Sequence, residues 1–252
     1  MRIARIHTAH GIVGVVDQDG RWAEVDDILA PDPRPTGVTH HPDGVSFACP
    51  VVPALIVGML HNLSPVDQAK PPQAFLKSPR TAIGTGDKIY LDPHAGAVKG
   101  EGELAVVIGR PCRFITPARA REAILGFTCA NDVTTSAQIP LDATLTQAKN
   151  GDGYTPLGPW IETDLDPADV RIGVVVDGRE VIANSTANLA KNVYEAVSYL
   201  SHHMTLGPGD VVLTGSPATS YPLEPGQTMS IVIEGLGTLT NKAVPHPHTF
   251  RG

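Results

Sequence analysis

The sequence predicts a mainly β protein with a few helices, in which one long helix lies against a curled sheet. Three observations lead to this fold class. The chain has 252 residues and is 42% hydrophobic, which is enough to bury a large core. Its 25 glycines and 23 prolines are spread along the whole length, a distribution typical of many turns and short strands. Apolar runs of strand length recur between those turns.

The net charge excludes some classes of partner. With a formal charge of −7, the chain has no basic surface of the kind that attracts nucleic acid or anionic membranes. The N-terminus lacks the features of a signal peptide, and no window is long and apolar enough to span a bilayer. Three widely spaced cysteines match neither a disulfide framework nor a zinc site. We therefore expect a cytoplasmic protein that binds a small molecule, with no nucleic-acid partner and no membrane contact.

The first 50 residues predict a small N-terminal β unit. Turn signals at His10-Gly11 and at 17–20 separate three apolar runs, which predict strands at 2–7, 12–16 and 22–25. Residues 31–44 contain so many prolines, glycines and other turn residues that we expect no regular element there. The resulting division is an N-terminal unit at 1–50 and a main domain at 51–252.

The main domain is predicted to contain further strands and two helices. Its apolar runs of strand length are 54–58, 74–77, 88–91, 126–132, 210–215, 228–234 and 238–244. Thr116 followed by Pro117 is a helix-start signal and opens a short helix at 118–124. The longest helix is expected at about 186–204, where apolar residues recur at spacings of three and four. The sequence GPG at 207–209 ends it.

The run KGEGELAVVIG, which starts at Lys99, carries the sharpest chemical signal. Strand alternation points Glu101 and Glu103 to one face and Leu104 to the other. Two carboxylates about 7 Å apart at their roots can converge on one hard cation with oxygen ligands. The alternative is an edge strand whose solvent-facing side carries two glutamates. The apolar run after Glu103 favours the cation, because carboxylates at the rim of a core need a partner.

Asp132 is a third candidate oxygen donor. It ends the apolar run GFTCAND and shares a face with Ala130. An aspartate in this position more often forms a turn or caps a helix, because its side chain bonds local backbone donors well. From the residues alone, both interpretations stay open.

Two later loops offer groups that would contact a ligand. The glycine-rich loop AKNGDGYTPLGPW carries one cation, Lys149. With its pKa lowered beside a metal, this lysine would balance an enolate or move a proton, and the alternative is an ordinary solvated charge. In LTGSP, the Thr214 hydroxyl and the backbone N–H of Gly215 would hold a carboxylate, although the same residues also make a good strand-ending turn.

The order of these motifs resembles the fumarylacetoacetate hydrolase family. The matching stretches run from about Ala54 to Val244 and are AFLKSPRTAIGTGDKIYL, GEGELAVVIGR, GFTCANDV, AKNGDGYTPLGPW and GDVVLTGSP. None of them is specific alone, but together they follow the family's order and approximate spacing. The resemblance implies a rolled mixed β-sheet domain, usually a homodimer, that binds Mg²⁺ or Mn²⁺ through three carboxylates. By motif position these are Glu101, Glu103 and Asp132.

The resemblance also implies a set of residues around the substrate, a small oxo acid. Lys149 would lie near the bound oxo acid and Thr214 near its carboxylate. Gly215, Tyr154 and Lys77 stand in the same matching stretches and are further candidates for substrate binding.

The lid segment departs from that of hydrolytic members. Those members often carry a His and a Glu three residues apart just after the first core strand, whereas GMLHNLSPVDQ places Ser64 and Asp67 there. The Arg-Asp pair that many members show after the metal aspartate is also absent, since residues 133–137 are VTTSA. Both departures, and the run STANLAKNVYEAVSYLSHHMTLGPGD, resemble the 2-hydroxyhepta-2,4-diene-1,7-dioate isomerase and decarboxylase branch. His61 and Asp67 remain as candidate proton shuttles on the lid.

The resemblance therefore predicts an isomerase or decarboxylase. Its substrate would be a 2-oxo or 2-hydroxy-dienoic di- or tricarboxylic acid from aromatic-compound catabolism, converted through a metal-stabilised enolate. One alternative is a carbon–carbon hydrolase of acylpyruvates or other β-diketo acids, with His61 activating water. A second alternative is a degenerate member that binds metal or ligand without catalysis. The altered lid suggests it, whereas the intact metal ligands and Lys149 argue against it.

Overall fold

A computed structural model describes residues 1–247 of the chain. Its N-terminal part contains five strands: β1 (Arg2–Thr8), β2 (Gly11–Gln18), β3 (Arg21–Val25), β4 (Pro35–His40) and β5 (Ser46–Phe47). The three strands predicted there are present. The prediction that 31–44 holds no regular element is wrong, because β4 pairs with β3. That strand lies at the edge of its sheet, where Pro35 at the first position costs no ladder hydrogen bond.

The main part of the chain adds strands β6 to β19. They are β6 (Ile56–Leu60), β7 (Gln73–Lys77), β8 (Ala82–Ile83), β9 (Lys88–Leu91), β10 (Val98–Ile108), β11 (Ile124–Asn131), β12 (Thr134–Thr135), β13 (Thr155–Glu162), β14 (Arg171–Val176), β15 (Arg179–Ser185), β16 (Val211–Leu213), β17 (Ser220–Pro222), β18 (Thr228–Ile233) and β19 (Gly237–Pro245). Each strand predicted from an apolar run has a counterpart here. The protein is mainly β, which confirms the predicted fold class.

The strands form two mixed sheets. The larger sheet has the order β4-β3-β2-β1-β13-β11-β10-β16-β6-β7, with four short strands beside this path. The smaller sheet has the order β15-β14-β18-β19-β9. Most neighbours are antiparallel, but β16 pairs with β6, β13 with β8 and β19 with β9 in parallel. The N-terminal strands join the larger sheet through β1, where Ile3 pairs with Ile161 of β13. The division at residue 50 stays a prediction.

Strand β10 lies inside the larger sheet, between β11 and β16. Leu104 and Val106 pack into the main apolar core, while Ala105 and Val107 belong to a second core on the opposite face. The predicted alternation along this strand is therefore confirmed. The alternative of a solvent-facing edge strand is wrong. A β-carbon on Gly102 would lie 3.1 Å from a methyl group of Val174, so the smaller sheet packs closely on the face away from Glu101 and Glu103.

The α-helices within residues 1–247 are α1 (Pro117–Ala123), α2 (Thr146–Lys149) and α3 (Val193–His203). Helix α1 begins where Thr116 and Pro117 predicted. The longest helix was predicted from residue 186, but α3 begins only after Asn192, whose side chain accepts the backbone N–H groups of Tyr194 and Glu195. The Glu195 carboxylate accepts the Asn192 N–H in return, which closes a capping box.

The buried face of α3 packs against α1 in the main core. The hydroxyl of Ser198 donates to the carbonyl of Ile115 over 2.8 Å, which ties α3 to the segment just before α1. No helix within residues 1–247 has the length and apolar character needed to cross a membrane.

Candidate active site

Three carboxylates meet on one face of the larger sheet. Glu101 and Glu103 are side by side along β10, and Asp132 is the first residue after β11. The Asp132 N–H donates to the Glu101 carbonyl over 2.9 Å, so sheet pairing brings the aspartate next to the glutamates. All three residues are buried, with exposures of 6%, 3% and 1% respectively. Carboxylates removed from water need positive charge or hydrogen-bond donors close by.

Lys149 supplies one of these positive charges. It is the last residue of α2, and its ammonium group contacts Glu101 Oε2 at 3.1 Å and also Asp132 Oδ2. Its Nζ lies 4.5 Å from the ring centre of Phe75. Burial lowers the pKa of Lys149, but the charges of Asp132 and Glu101 outweigh it and raise that pKa. The predicted loop position of Lys149 is wrong, because the residue ends α2. The lowered pKa expected beside a metal stays a prediction. The lysine is a firmly charged member of the cluster.

Lys77, at the end of β7, is completely buried beside Asp132. Its ammonium group donates to Asp132 Oδ1 at 2.5 Å, to the Tyr154 carbonyl at 2.7 Å and to the Val133 carbonyl at 3.3 Å. An ammonium group has three N–H donors, so all of them are used inside the protein. Burial lowers the pKa of Lys77, and the charge of Asp132 partly offsets this. Substrate contact by Lys77 stays a prediction, and the geometry gives it the role of holding Asp132.

Both carboxylate oxygens of Asp132 are thus bound to lysines. Burial would raise the pKa of Asp132, but the charges and hydrogen bonds of Lys149 and Lys77 lower it. The alternative of a turn-forming or helix-capping aspartate is wrong, because both oxygens accept from ammonium groups.

Glu101 has three partners. Its Oε1 lies 3.0 Å from Lys99 Nζ, and its Oε2 accepts from the Thr134 hydroxyl at 3.0 Å as well as from Lys149. Neither Lys99 nor Thr134 was among the site residues predicted from the sequence. Lys99 was open to prediction, because it stands two residues before Glu101 and so shares its face. Thr134 carries no such local signal.

Glu103 differs from the other two carboxylates. It accepts one hydrogen bond, from the Gly215 N–H at 2.8 Å. Among the residues that the structure describes, no ammonium, guanidinium or imidazole nitrogen lies within ion-pair distance of it. Burial, followed by the charges of Asp132 and Glu101, raises the pKa of Glu103 well above its usual range. Glu103 is therefore the member of the cluster whose charge is least compensated.

The turn that contains Thr214 and Gly215 follows β16. The Thr214 hydroxyl donates to the Leu104 carbonyl over 2.7 Å, which fixes the turn on β10. Gly215 has a φ of +105°, a conformation that favours glycine. In this structure the turn holds the carboxylate of Glu103, and its predicted contact with a substrate carboxylate stays a prediction.

Tyr154 is buried next to Lys77 and is 3% exposed. Its hydroxyl is 2.9 Å from Thr135 Oγ1, and its carbonyl is one of the acceptors of Lys77. Burial raises the pKa of the phenol. The predicted role of Tyr154 in substrate binding is not tested by these contacts, which tie it to the framework around Asp132.

The lid segment follows β6. His61 is partly buried and has a φ of +56°, and a 3-10 turn follows at Pro65–Ala69. The Asp67 carboxylate bonds Lys70 Nζ at 2.8 Å and accepts the Leu63 N–H at 3.1 Å, and the bond to Lys70 in particular lowers its pKa. Within residues 1–247, no hydrogen bond or ion pair links His61 or Asp67 to the three carboxylates. Their role as proton shuttles stays a prediction.

The donor types suit a hard divalent cation. The three carboxylates offer only oxygen ligands, which Mg²⁺ and Mn²⁺ prefer, and the buried Glu103 lacks a cation partner among the described residues. No three carboxylate, imidazole or thiol groups within residues 1–247 are placed together as a metal site, however. Lys149 instead bridges Glu101 and Asp132. The chemistry of the donors fits a metal, and the three-ligand arrangement stays a prediction.

The comparison with protein-family models identifies the same part of the chain. Residues 53–244 match the model described as fumarylacetoacetate (FAA) hydrolase C-terminal. This range contains the whole carboxylate cluster, its lysines and the lid.

Solved structures and curated proteins are also similar to this chain. The structure of 5-carboxymethyl-2-hydroxymuconate delta-isomerase from Mycobacterium smegmatis is 39% identical, with 97% of this chain and 100% of that chain covered and a TM-score of 0.91. The structure of 2-hydroxyhepta-2,4-diene-1,7-dioate isomerase from Mycobacterium marinum is 36% identical, with 98% of this chain and 100% of that chain covered and a TM-score of 0.92. The 4-hydroxyphenylacetate degradation bifunctional isomerase/decarboxylase of Salmonella dublin is 33% identical over 179 residues, which are 69% of this chain and 42% of that protein.

Proposed function

The chain belongs to the fumarylacetoacetate hydrolase family, and from this premise we propose that it is a divalent-metal-dependent isomerase or decarboxylase of a 2-oxo or 2-hydroxy-dienoic dicarboxylic or tricarboxylic acid. The observation that carries the proposal is the buried cluster of Glu101, Glu103 and Asp132, in which Glu103 has one hydrogen bond and no cation partner among the described residues. The names of the similar isomerases and of the bifunctional isomerase/decarboxylase suggest the class of reaction.

The charge of the cluster suggests the charge of the substrate. When all are ionised, three carboxylates stand against three ammonium groups, and these residues are Glu101, Glu103, Asp132, Lys77, Lys99 and Lys149. Their charges sum to zero. A divalent cation would add two positive charges, and a substrate with two carboxylates would neutralise them. Within the proposed class, this charge balance favours a dicarboxylic acid, a dianion that would bind the cation through its 2-oxo group and the adjacent carboxylate.

The proposed reaction requires an enolate to be stabilised. In isomerisation a proton leaves one carbon and returns to another, and in decarboxylation the bond to a carboxylate breaks and its electron pair enters the 2-oxo group. Glu101, Glu103 and Asp132 would hold the cation, which when bound supplies a Lewis acid for the 2-oxo oxygen. Lys149 would orient the oxo acid and balance the negative charge that develops. Thr214 would lie near a carboxylate of the substrate, and His61 would carry the proton.

The lid favours this reaction over hydrolysis. A hydrolase needs a base that activates water, and Asp67 stands at one of the two positions where hydrolytic members carry their pair. Here the Asp67 carboxylate is bound to Lys70 and to the Leu63 N–H, and its pKa is lowered. A carboxylate stabilised in this way is a weak base. Under the alternative hypothesis, in which the protein hydrolyses acylpyruvates, His61 would be the lid residue that activates water.

The proposal is tested with chelator-treated protein to which Mg²⁺ or Mn²⁺ is restored. Oxaloacetate, an acylpyruvate and a hydroxymuconate-type diacid are offered separately, while carbon dioxide, cleaved acid and the ultraviolet spectrum are followed. Metal-dependent release of carbon dioxide, or spectral isomerisation without cleavage, supports the proposal. Cleavage of the acylpyruvate to pyruvate and a second acid would replace it with the hydrolase. Tight metal binding without any turnover would support the degenerate alternative.

Matched variants connect the result with the site. Glu103→Gln should abolish turnover, whereas Glu122→Gln, on the surface of α1, should leave it unchanged because that carboxylate pairs with exposed Arg119.

We further propose that the active form is a homodimer, as the family resemblance implies. Light scattering of the purified protein would test this through its molar mass.

A further inference from the structure

Asn62 joins three separate segments of the chain at the base of the lid. The residue is 1% exposed. Its side-chain N–H groups donate to the Thr214 carbonyl over 2.6 Å and to the Lys191 carbonyl over 2.9 Å. Its side-chain oxygen accepts the Lys191 N–H over 2.6 Å. Both N–H donors of the amide and its oxygen are thus engaged between the lid, the turn after β16 and the segment that precedes α3.

The contact with Thr214 reaches the carboxylate cluster through one peptide group. The carbonyl that accepts from Asn62 and the Gly215 N–H that donates to Glu103 Oε2 at 2.8 Å belong to the same peptide. Since the peptide is planar, fixing the carbonyl also fixes the direction of the N–H. A hydrogen bond accepted by the carbonyl also polarises the N–H and strengthens the bond that it donates.

We propose that Asn62 is a positioning residue, which holds and polarises the Thr214–Gly215 peptide so that its N–H stays directed at Glu103. The lid and Glu103 are thereby coupled, since a movement of the lid that displaces Asn62 also releases the peptide. The coupling matters because this N–H is the one donor that the structure records for Glu103, which has no ion-pair partner among the described residues.

Backbone packing supports the coupling independently of these hydrogen bonds. A β-carbon on Gly215 would lie 2.4 Å from the Asn62 carbonyl oxygen and 2.8 Å from Asn62 Cβ. The turn therefore rests directly on Asn62, and only glycine fits there. The preceding residue, His61, has a φ of +56°, a conformation that persists only where neighbouring contacts enforce it. The three hydrogen bonds of Asn62 provide such contacts.

The Gly215 amide gives a direct readout of this arrangement by NMR. Thr-Gly pairs occur at Thr36–Gly37, Thr85–Gly86 and Thr214–Gly215. Protein labelled with carbonyl ¹³C in threonine and ¹⁵N in glycine therefore shows three selected amide signals, two of which are internal references. We expect the Gly215 amide proton to exchange about tenfold faster in Asn62→Ala and in Asn62→Asp, and to move upfield, while the Gly37 signal does not change.

Asn241→Ala is the matched control. Asn241 is 2% exposed and donates to two backbone carbonyls, of Gly84 at 2.7 Å and Asp87 at 2.9 Å, but it lies on β19 and does not contact the turn or the lid. Its replacement removes comparable hydrogen bonds and should leave the Gly215 amide unchanged. An unchanged Gly215 amide in a folded Asn62 variant, or an equal change in Asn241→Ala, would overturn the proposal.

The proposal can also be tested without a variant. In the natural protein, the Gly215 amide and the side-chain amide of Asn62 must both be protected from exchange, and free exchange of either would overturn the proposal even if the variants fail to fold.

The consequence for turnover rests on the proposed function. In the reaction proposed above, Asn62→Asp should lower kcat about tenfold with little change in KM. If the natural protein is inactive on all three substrates while the Gly215 amide responds as expected, the proposed function fails and the role of Asn62 stands.

Discussion

The backbone N–H of Asp132 donates to the carbonyl oxygen of Glu101 over 2.9 Å. This bond connects the end of β11 to β10, and it sets the aspartate carboxylate beside the glutamate carboxylate. Lys149 then contacts both carboxylates.

Removing the Glu103 carboxylate should remove metal binding and turnover together. Glu103→Ala should weaken Mn²⁺ binding in calorimetry and lower kcat at least about a hundredfold, because a ligand and a negative charge are lost. Glu122→Gln serves as the control, since it removes a charge from the surface. Unchanged metal affinity and activity in Glu103→Ala would show that the site has been assigned wrongly.

The raised pKa of Glu103 predicts how stability depends on pH in metal-free protein. A carboxyl group whose pKa is higher in the folded state favours folding while it is protonated, and this contribution is lost as the pH rises through that pKa. Above pH 4.5, the ordinary value for glutamate, Glu103→Gln should therefore become progressively more stable than the natural protein. Urea unfolding at several pH values measures the difference. A constant difference between the two proteins would show that Glu103 does not titrate abnormally.

Lys149 should affect metal binding and turnover in opposite directions. Lys149→Met removes the ammonium group that bridges Glu101 and Asp132, so Mn²⁺ affinity should rise by about tenfold. Turnover should fall at least about a hundredfold, because the developing negative charge loses its partner. Lys242→Met, at an exposed position of β19, provides the comparison. A parallel loss of affinity and activity would mean that Lys149 supports the metal site and does not compete with it.

Replacing Lys77 distinguishes a structural role of this lysine from a role in substrate binding. Lys77→Met leaves Asp132 Oδ1 and the carbonyls of Tyr154 and Val133 without their donor, which should cost about 3 to 5 kcal/mol of stability. Urea unfolding at neutral pH gives this value. A normal stability combined with a raised KM would instead support the substrate contact that the sequence suggested.

The effect of replacing His61 distinguishes the two candidate reactions, isomerisation or decarboxylation and carbon–carbon hydrolysis. If the protein isomerises or decarboxylates, His61→Ala should lower kcat by less than about tenfold, because solvent can replace a proton carrier on a lid. If it activates water for carbon–carbon cleavage, the loss should exceed about a hundredfold. Steady-state rates with the substrate that proves active decide between these outcomes, and Asn241→Ala again serves as the control for general damage.

Much of the fold was predictable because its signals are local. Strand alternation in 99–109 placed Glu101 and Glu103 on one face, and the structure has them there. Pro117 marked the start of α1 for the same reason, since its ring fixes a φ that suits the first helical position, whereas the Thr116 hydroxyl makes no capping hydrogen bond. The helix predicted at 186–204 was placed too early, and the reason is also local. Apolar residues at helical spacing continue upstream of α3, but the capping box of Asn192 sets the first turn of the helix.

The sequence by itself determined the mainly β fold, the family, and the candidate carboxylates on β10. Only the tertiary structure decided what surrounds them: Lys77 on Asp132, the Gly215 N–H on Glu103, and Asn62 behind that peptide. Lys77 and Asp132 are 55 positions apart, and Asn62 and Thr214 are 152 positions apart. Such contacts depend on which strands become neighbours in the sheet, and strand order is set by burial of the whole core, which no local pattern encodes.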